Sequence, residues 1–88
     1  MDDSETIVPT IFTIFGLHFM FFSNDHEPVH IHIRRGDCEA KFNVRPVRLV
    51  NNHGFKKNEL SLIESLVEEN ADIITERWQE FFKNRNNG

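Results

Sequence analysis

The sequence predicts an α+β domain: an antiparallel sheet of two β-hairpins, three to five strands in all, packed by one long C-terminal helix. Three observations predict it. Two pairs of short β-branched and aromatic runs each flank a glycine-bearing tight turn. Apolar residues from Leu60 to Phe82 recur at three- and four-residue steps. The chain has 88 residues and is 39% hydrophobic, which allows one domain (1–88, ordered over about 8–84) with a thin core. A chain this short buries only about 60% of its unfolded surface, so its stability is expected to be modest or shared with a partner.

The first hairpin joins Thr10–Ile14 to Leu17–Phe22 through Phe15-Gly16. Gly16 suits the positive φ of the second turn position, whereas Phe15 is an unusual residue for the first. Ile14 then faces Leu17 and Phe12 faces Phe19, and with Phe21 these make one apolar face. Thr13, His18 and Met20 make the other, mixed face. The segment Ser23-Asn24-Asp25-His26-Glu27-Pro28 reads as a polar turn.

The second hairpin is the better specified. Val29-His30-Ile31-His32-Ile33 alternates strictly, Gly36-Asp37 forms the tip, and Glu39–Val44 returns. Setting Arg35 opposite Cys38 places Arg34 on Glu39, an opposite-charge pair. It also puts Ile33 on Ala40, Ile31 on Phe42 and Val29 on Val44, a wholly apolar face. On the other face His32 meets Lys41 and His30 meets Asn43. A slip of one residue breaks every one of these matches.

Pro46–Val50 reads as a short edge strand, with a helical turn as the alternative, and Asn51-Asn52-His53-Gly54 as a turn or loop. From Lys57 to Lys83 the chain reads as one helix, with a kink or break at Asn70-Ala71-Asp72 as the variant. A helix of that length spans about 40 Å at 1.5 Å per residue, more than a sheet of five-residue strands covers. Trp78, Phe81 and Phe82 at its far end are therefore the candidates for a partner contact, against the plainer reading that they fold back on the sheet. Met1–Ile7 and Asn84–Gly88 read as frayed ends.

Composition limits the function. The single cysteine, Cys38, excludes an internal disulfide and fits a reducing cytoplasm. The acidic start lacks the pattern of a signal peptide, and no apolar run approaches the roughly 18 residues needed to cross a membrane. The expectation is a cytoplasmic protein without a membrane role. Net charge is −4, but residues 34–57 carry seven bases and two acids. This basic patch in an acidic chain is either a balanced sheet surface or a contact for phosphates or an acidic segment. A uniformly basic nucleic-acid binder is not supported.

His30-x-His32 stands out among the motifs, because that spacing places two imidazoles on one strand face, about 7 Å apart. The simplest reading is that both are solvated polar residues on the wet side of the sheet. A second is metal binding with Asp25, His26 or Glu27, but His53 alone offers a further ligand downstream, and no metal or other cofactor is expected. A third is metal-independent RNA cleavage. One imidazole would take the 2′-hydroxyl proton, the other would protonate the leaving oxygen, and Lys41 would stabilise the phosphorane. Arg34, Asn43 and His26 would then help to bind the substrate. His18 reads as a surface residue, and Cys38 has no His-Asp partner set by spacing. No glycine-rich phosphate loop, CxxC pair or Ser-His-Asp signature is present.

Pro9-Thr10-Ile11-Phe12, the block Phe21-Phe22-Ser23-Asn24-Asp25-His26-Glu27-Pro28-Val29-His30-Ile31-His32, then Glu39-Ala40-Lys41-Phe42 and Asn52-His53-Gly54-Phe55, resemble a family of small bacterial proteins, domain of unknown function 4160. The resemblance runs from Pro9 to Phe82. It implies a component of a two-gene module similar to a toxin–antitoxin pair. The implied partner is a small protein; apart from the resemblance, the thin core leaves self-association open and the His30, His32 and Lys41 set leaves RNA open. The resemblance also implies a Ser or Thr helix cap where this chain has Lys56 before Glu59, a change that weakens the cap by about 1 kcal/mol.

Overall fold

The computed structural model describes residues 10–22 and 28–87, with side chains to Lys83. The expected fraying at Met1–Ile7, the candidate ligands Asp25 and Glu27, the candidate binding residue His26 and the terminal Gly88 lie outside the described residues.

The described chain is a meander of five antiparallel strands followed by two helices. The strands are β1 (Phe12–Ile14), β2 (Leu17–Met20), β3 (His30–Arg35), β4 (Cys38–Val44) and β5 (Val47–His53). They lie side by side in sequence order. The helices are α1 (Lys57–Glu69) and α2 (Ala71–Asn87). The architecture is α+β, as the sequence predicts.

Both hairpins take the predicted registers. Phe12 pairs with Phe19 and Ile14 with Leu17. The turn between them holds Phe15 at φ 53° and Gly16 at φ 75°. Two positive φ values match the twist that a two-residue hairpin needs, and Phe15 carries the steric cost at an open site, 71% exposed. In the second hairpin Arg35 pairs with Cys38, Arg34 with Glu39, Ile33 with Ala40, His32 with Lys41, Ile31 with Phe42 and His30 with Asn43. The two hairpins join through β2 and β3, which sets His18 opposite Arg34 and Met20 opposite His32.

The apolar face carries the core. Phe19, Ile31, Ile33, Ala40 and Phe42 pack with Ile63, Leu66 and Val67 of α1 and Ile74 and Trp78 of α2. Burying a large aliphatic or aromatic side chain contributes about 1.5–3 kcal/mol, so this one cluster supplies most of the drive for the helices to dock.

Two local expectations change. The helix expected over 57–83 is two helices and reaches Asn87, so Asn84–Asn87 are helical where fraying was expected. The break falls at Asn70, φ −109° and ψ 14°. Its Nδ2 donates to the Leu66 carbonyl at 2.8 Å, and its backbone N–H reaches Leu66 and Val67 at 3.1 and 3.2 Å. An asparagine that satisfies the last carbonyls this way ends a helix without glycine. The second change is β5. It runs through Asn51, Asn52 and His53, which turn composition assigned to a loop. The ladder with β4 holds them there, with Glu39 opposite His53, Ala40 opposite Asn52 and Lys41 opposite Asn51. The turn comes one step later. Asn52 Oδ1 accepts the Phe55 N–H at 3.2 Å, and its Nδ2 donates to the Phe55 carbonyl at 3.1 Å.

Candidate functional site

One face of the sheet gathers the polar residues. Across β2 to β5 one row runs His18, Arg34, Glu39, His53. The next runs Met20, His32, Lys41, Asn51, and a third runs His30, Asn43, Arg48. Strand alternation puts these side chains on one side, and on β5 the extra residue Val50 keeps Arg48 and Asn51 together. His30, His32, Lys41, Arg34 and Asn43 are thus brought onto one face, as the register predicts.

Solvation is a different matter. His30 and His32 were expected on a wet face, and both are buried, 5% and 7% exposed. Phe22, continuing from β2, lies flat on His32, with ring centroids 3.9 Å apart and planes at 12°. Trp78 reaches His30 from α2, centroid to centroid 5.1 Å. The two imidazoles meet edge-on at 5.2 Å. His30 Nδ1 lies 2.9 Å from the Pro28 carbonyl, an N–H···O bond that fixes the proton on Nδ1. His32 Nδ1 lies 3.7 Å from a Glu39 carboxylate oxygen. Period-two alternation shows which face a side chain takes. It does not show that an aromatic ring from elsewhere in the chain covers that face.

Beside the buried pair lies a groove of about 220 Å³ lined by His32, Asp37, Glu39, Ala40, Lys41, Asn51 and His53. Lys41 is half-buried and stands directly across from His32. Arg34 is exposed and donates from Nε to Glu39 at 3.1 Å. Asn43 is half-buried between His30 and Arg48. His18 is exposed, with its Nδ1 3.3 Å from the Thr13 hydroxyl. Sequence reasoning missed His53, Asn51 and Glu39 as groove residues, because it ended β5 too early to carry the first two onto this face. Among the described residues no group of three or more His, Cys, Asp or Glu side chains is placed to hold a metal ion.

The aromatic end of the helix is placed differently again. Trp78 is 2% exposed and edge-on to Phe21 at 5.3 Å. Phe81 and Phe82 are half-buried, with Phe82 packed on Trp78 at 4.3 Å. The break at Asn70 folds α2 back onto the sheet, so Trp78 is a core residue and not a free surface. Among the described residues the exposed large apolar side chains are Phe15, Leu49, Val50 and Leu62. Two of them, Leu49 and Val50, lie on β5, the edge of the sheet. A register shift leaves Val50 as an extra residue between the Leu49–Phe42 and Asn51–Lys41 pairs, a β-bulge.

A family model for a domain of unknown function, DUF4160, matches residues 16–79, which hold β2 to β5, all of α1 and α2 through Gln79. The chain belongs to this family. Neither curated proteins nor solved structures give a match. This DUF4160 domain carries both the His-x-His strand and the edge strand β5 within the matched span. No helix among its described residues is long and apolar enough to cross a membrane.

Proposed function

We infer that this DUF4160 domain is a non-enzymatic protein-binding module of the bacterial cytoplasm, one half of a toxin–antitoxin-like pair, and that it meets its partner at the β5 edge. One observation carries the reading. β5 is a seven-residue edge strand with Leu49 and Val50 exposed at 41% and 48%. An edge strand presents unpaired backbone N–H and C=O groups, and exposed apolar side chains beside them favour pairing with another chain. The opposite edge, β1, has only three residues and offers far less.

The test is co-expression with the product of the adjacent gene, followed by size-exclusion chromatography with light scattering. The reading expects one complex of defined mass. A stable monomer that ignores its neighbour's product contradicts it.

A second reading is a metal-independent ribonuclease, favoured by His32 and Lys41 facing each other at one groove with His53 on its rim. In that chemistry one imidazole removes the 2′-hydroxyl proton, a second protonates the departing 5′ oxygen, and the Lys41 ammonium stabilises the phosphorane. Purified protein is assayed on single-stranded RNA beside His30→Ala, His32→Ala, His53→Ala and Lys41→Ala. Cleavage lost in these variants supports the reading, and no difference from wild type removes it.

A further inference from the structure

Seven bases lie within residues 34–57, and the structure divides them in two. Arg34 pairs with Glu39, Arg35 with Glu59 and Arg45 with Asp72. Lys41, Arg48, Lys56 and Lys57 make no ion pair with a described residue. These four surround the β5 edge. Arg48 is on the strand itself, Lys41 is on the neighbouring strand opposite Asn51, and Lys56 and Lys57 follow directly after the Gly54-Phe55 turn. Of these seven bases, the four without an internal partner thus lie on or next to the last strand of the sheet.

The two faces of β5 differ in character. Val47 and Leu49 pair with Val44 and Phe42 and so take the apolar face. Arg48 and Asn51 pair with Asn43 and Lys41 and take the polar face. Helix α1 packs on β4 and β5 and α2 on β4, and Phe42 is fully buried while Leu49 stays exposed. A strand added beside β5 would alternate in the same way, one side chain toward Leu49 and the next toward Arg48.

We propose that the β5 edge accepts an extended acidic segment of a partner protein as a sixth strand, its apolar side chains beside Leu49 and its carboxylates beside Arg48. The proposal rests on the protein-binding reading above and names the chemistry of the partner. Apolar exposure favours a protein over a nucleic acid here, because a phosphate backbone would neutralise Arg48 and leave Leu49 and Val50 in water. The bulge at Val50 and the charge of Arg48 are the features by which edge strands resist indiscriminate pairing. They restrict the edge to a strand that brings an acid to Arg48 and tolerates the extra residue.

The probe is a short peptide alternating Glu and Val, titrated into ¹⁵N-labelled protein, with a Lys–Val peptide and a single-stranded RNA oligonucleotide as the other arms. The proposal expects backbone amide shifts at residues 47–53 with the Glu–Val peptide and none with the Lys–Val peptide. It also expects that affinity falls as salt rises. Arg48→Glu should weaken the Glu–Val peptide roughly tenfold or more and admit the Lys–Val peptide. Arg48 is exposed, so this variant should fold, and its unchanged amide spectrum away from β5 is the check. Absence of shifts at millimolar peptide, shifts confined to the His32–His53 groove, or tighter binding of RNA at the same residues each overturn the proposal. Co-purification of the neighbouring gene's product that survives Arg48→Glu overturns this docking mode alone. Loss of co-purification by the wild-type chain overturns the protein-binding reading itself.

Discussion

Leu49 stands directly across from Phe42 on the same face of the sheet, yet Phe42 is 1% exposed and Leu49 41%. One strand's width separates a core residue from a surface residue. The helices cover the middle of the sheet and leave its last strand partly bare. This predicts a sharp contrast between two substitutions. Phe42→Ala should cost about 3–5 kcal/mol, whereas Leu49→Ser should stay within about 0.5 kcal/mol of wild type. Urea denaturation of the two variants measures both. Equal losses would mean that Leu49 belongs to the core.

The buried imidazole beside Trp78 makes a second contrast. His30 is enclosed, bonded to the Pro28 carbonyl and packed on Trp78. His53 is exposed on the groove rim. His30→Ala should lose about 1–3 kcal/mol through the cavity and the broken bond. His53→Ala should be near neutral. The His30 substitution should also loosen α2, read as faster hydrogen exchange around Trp78.

Glu59 links the start of α1 to the β3–β4 hairpin. Its carboxylate accepts the Lys56 backbone N–H at 2.8 Å and pairs with Arg35. The lysine side chain has no acceptor to return, so only this half of a capping box forms. The Lys56 amide does most to hold the Glu59 carboxyl below its usual range, against an opposing desolvation and with help from Arg35. A carboxyl lowered in the folded state stabilises the fold above its ordinary value near 4.5, and that contribution is lost as pH falls through the lowered one. The stability gap between wild type and Glu59→Gln should therefore be full at neutral pH and close as the solution is acidified below about 4.5. Thermal melts across that range test the sign.

Gly54 closes β5 against the hairpin tip. Its φ is +97°, and a Cβ there would sit 2.9 Å from Cys38 Sγ and 3.4 Å from Cys38 Cα. Gly54→Ala meets both a left-handed backbone and a clash with the Cys38 sulfur. A loss of about 1–3 kcal/mol is expected, and Cys38→Ala should relieve only the part of it due to the sulfur. Chemical denaturation of the single and double variants separates the two causes.

The hairpins were legible in the sequence because many cross-strand matches agree on one register. Arg34 with Glu39, Ile31 with Phe42 and His32 with Lys41 are mutually consistent, and no other alignment keeps them. The burial of His30 and His32 was not legible, because Trp78 and Phe22 cover them from more distant positions. The extent of β5 was not legible either. Asn51, Asn52 and His53 have turn composition, and they are strand because Lys41, Ala40 and Glu39 hold them in the ladder. The end of α1 was half legible. Asn70 marks it in the sequence, but the hydrophobic stripe continues through the break. These gaps bear directly on function. A β5 cut short hides both the groove rim at His53 and the length of the open edge.

Amide hydrogen exchange along β5, in the free chain and in complex with the product of the adjacent gene, tests the central claim most directly. The claim predicts that amides within Val47–His53 that are fast-exchanging in the free chain become strongly protected in the complex, with little change along β1. A complex that forms with protection elsewhere and β5 unaltered would contradict it.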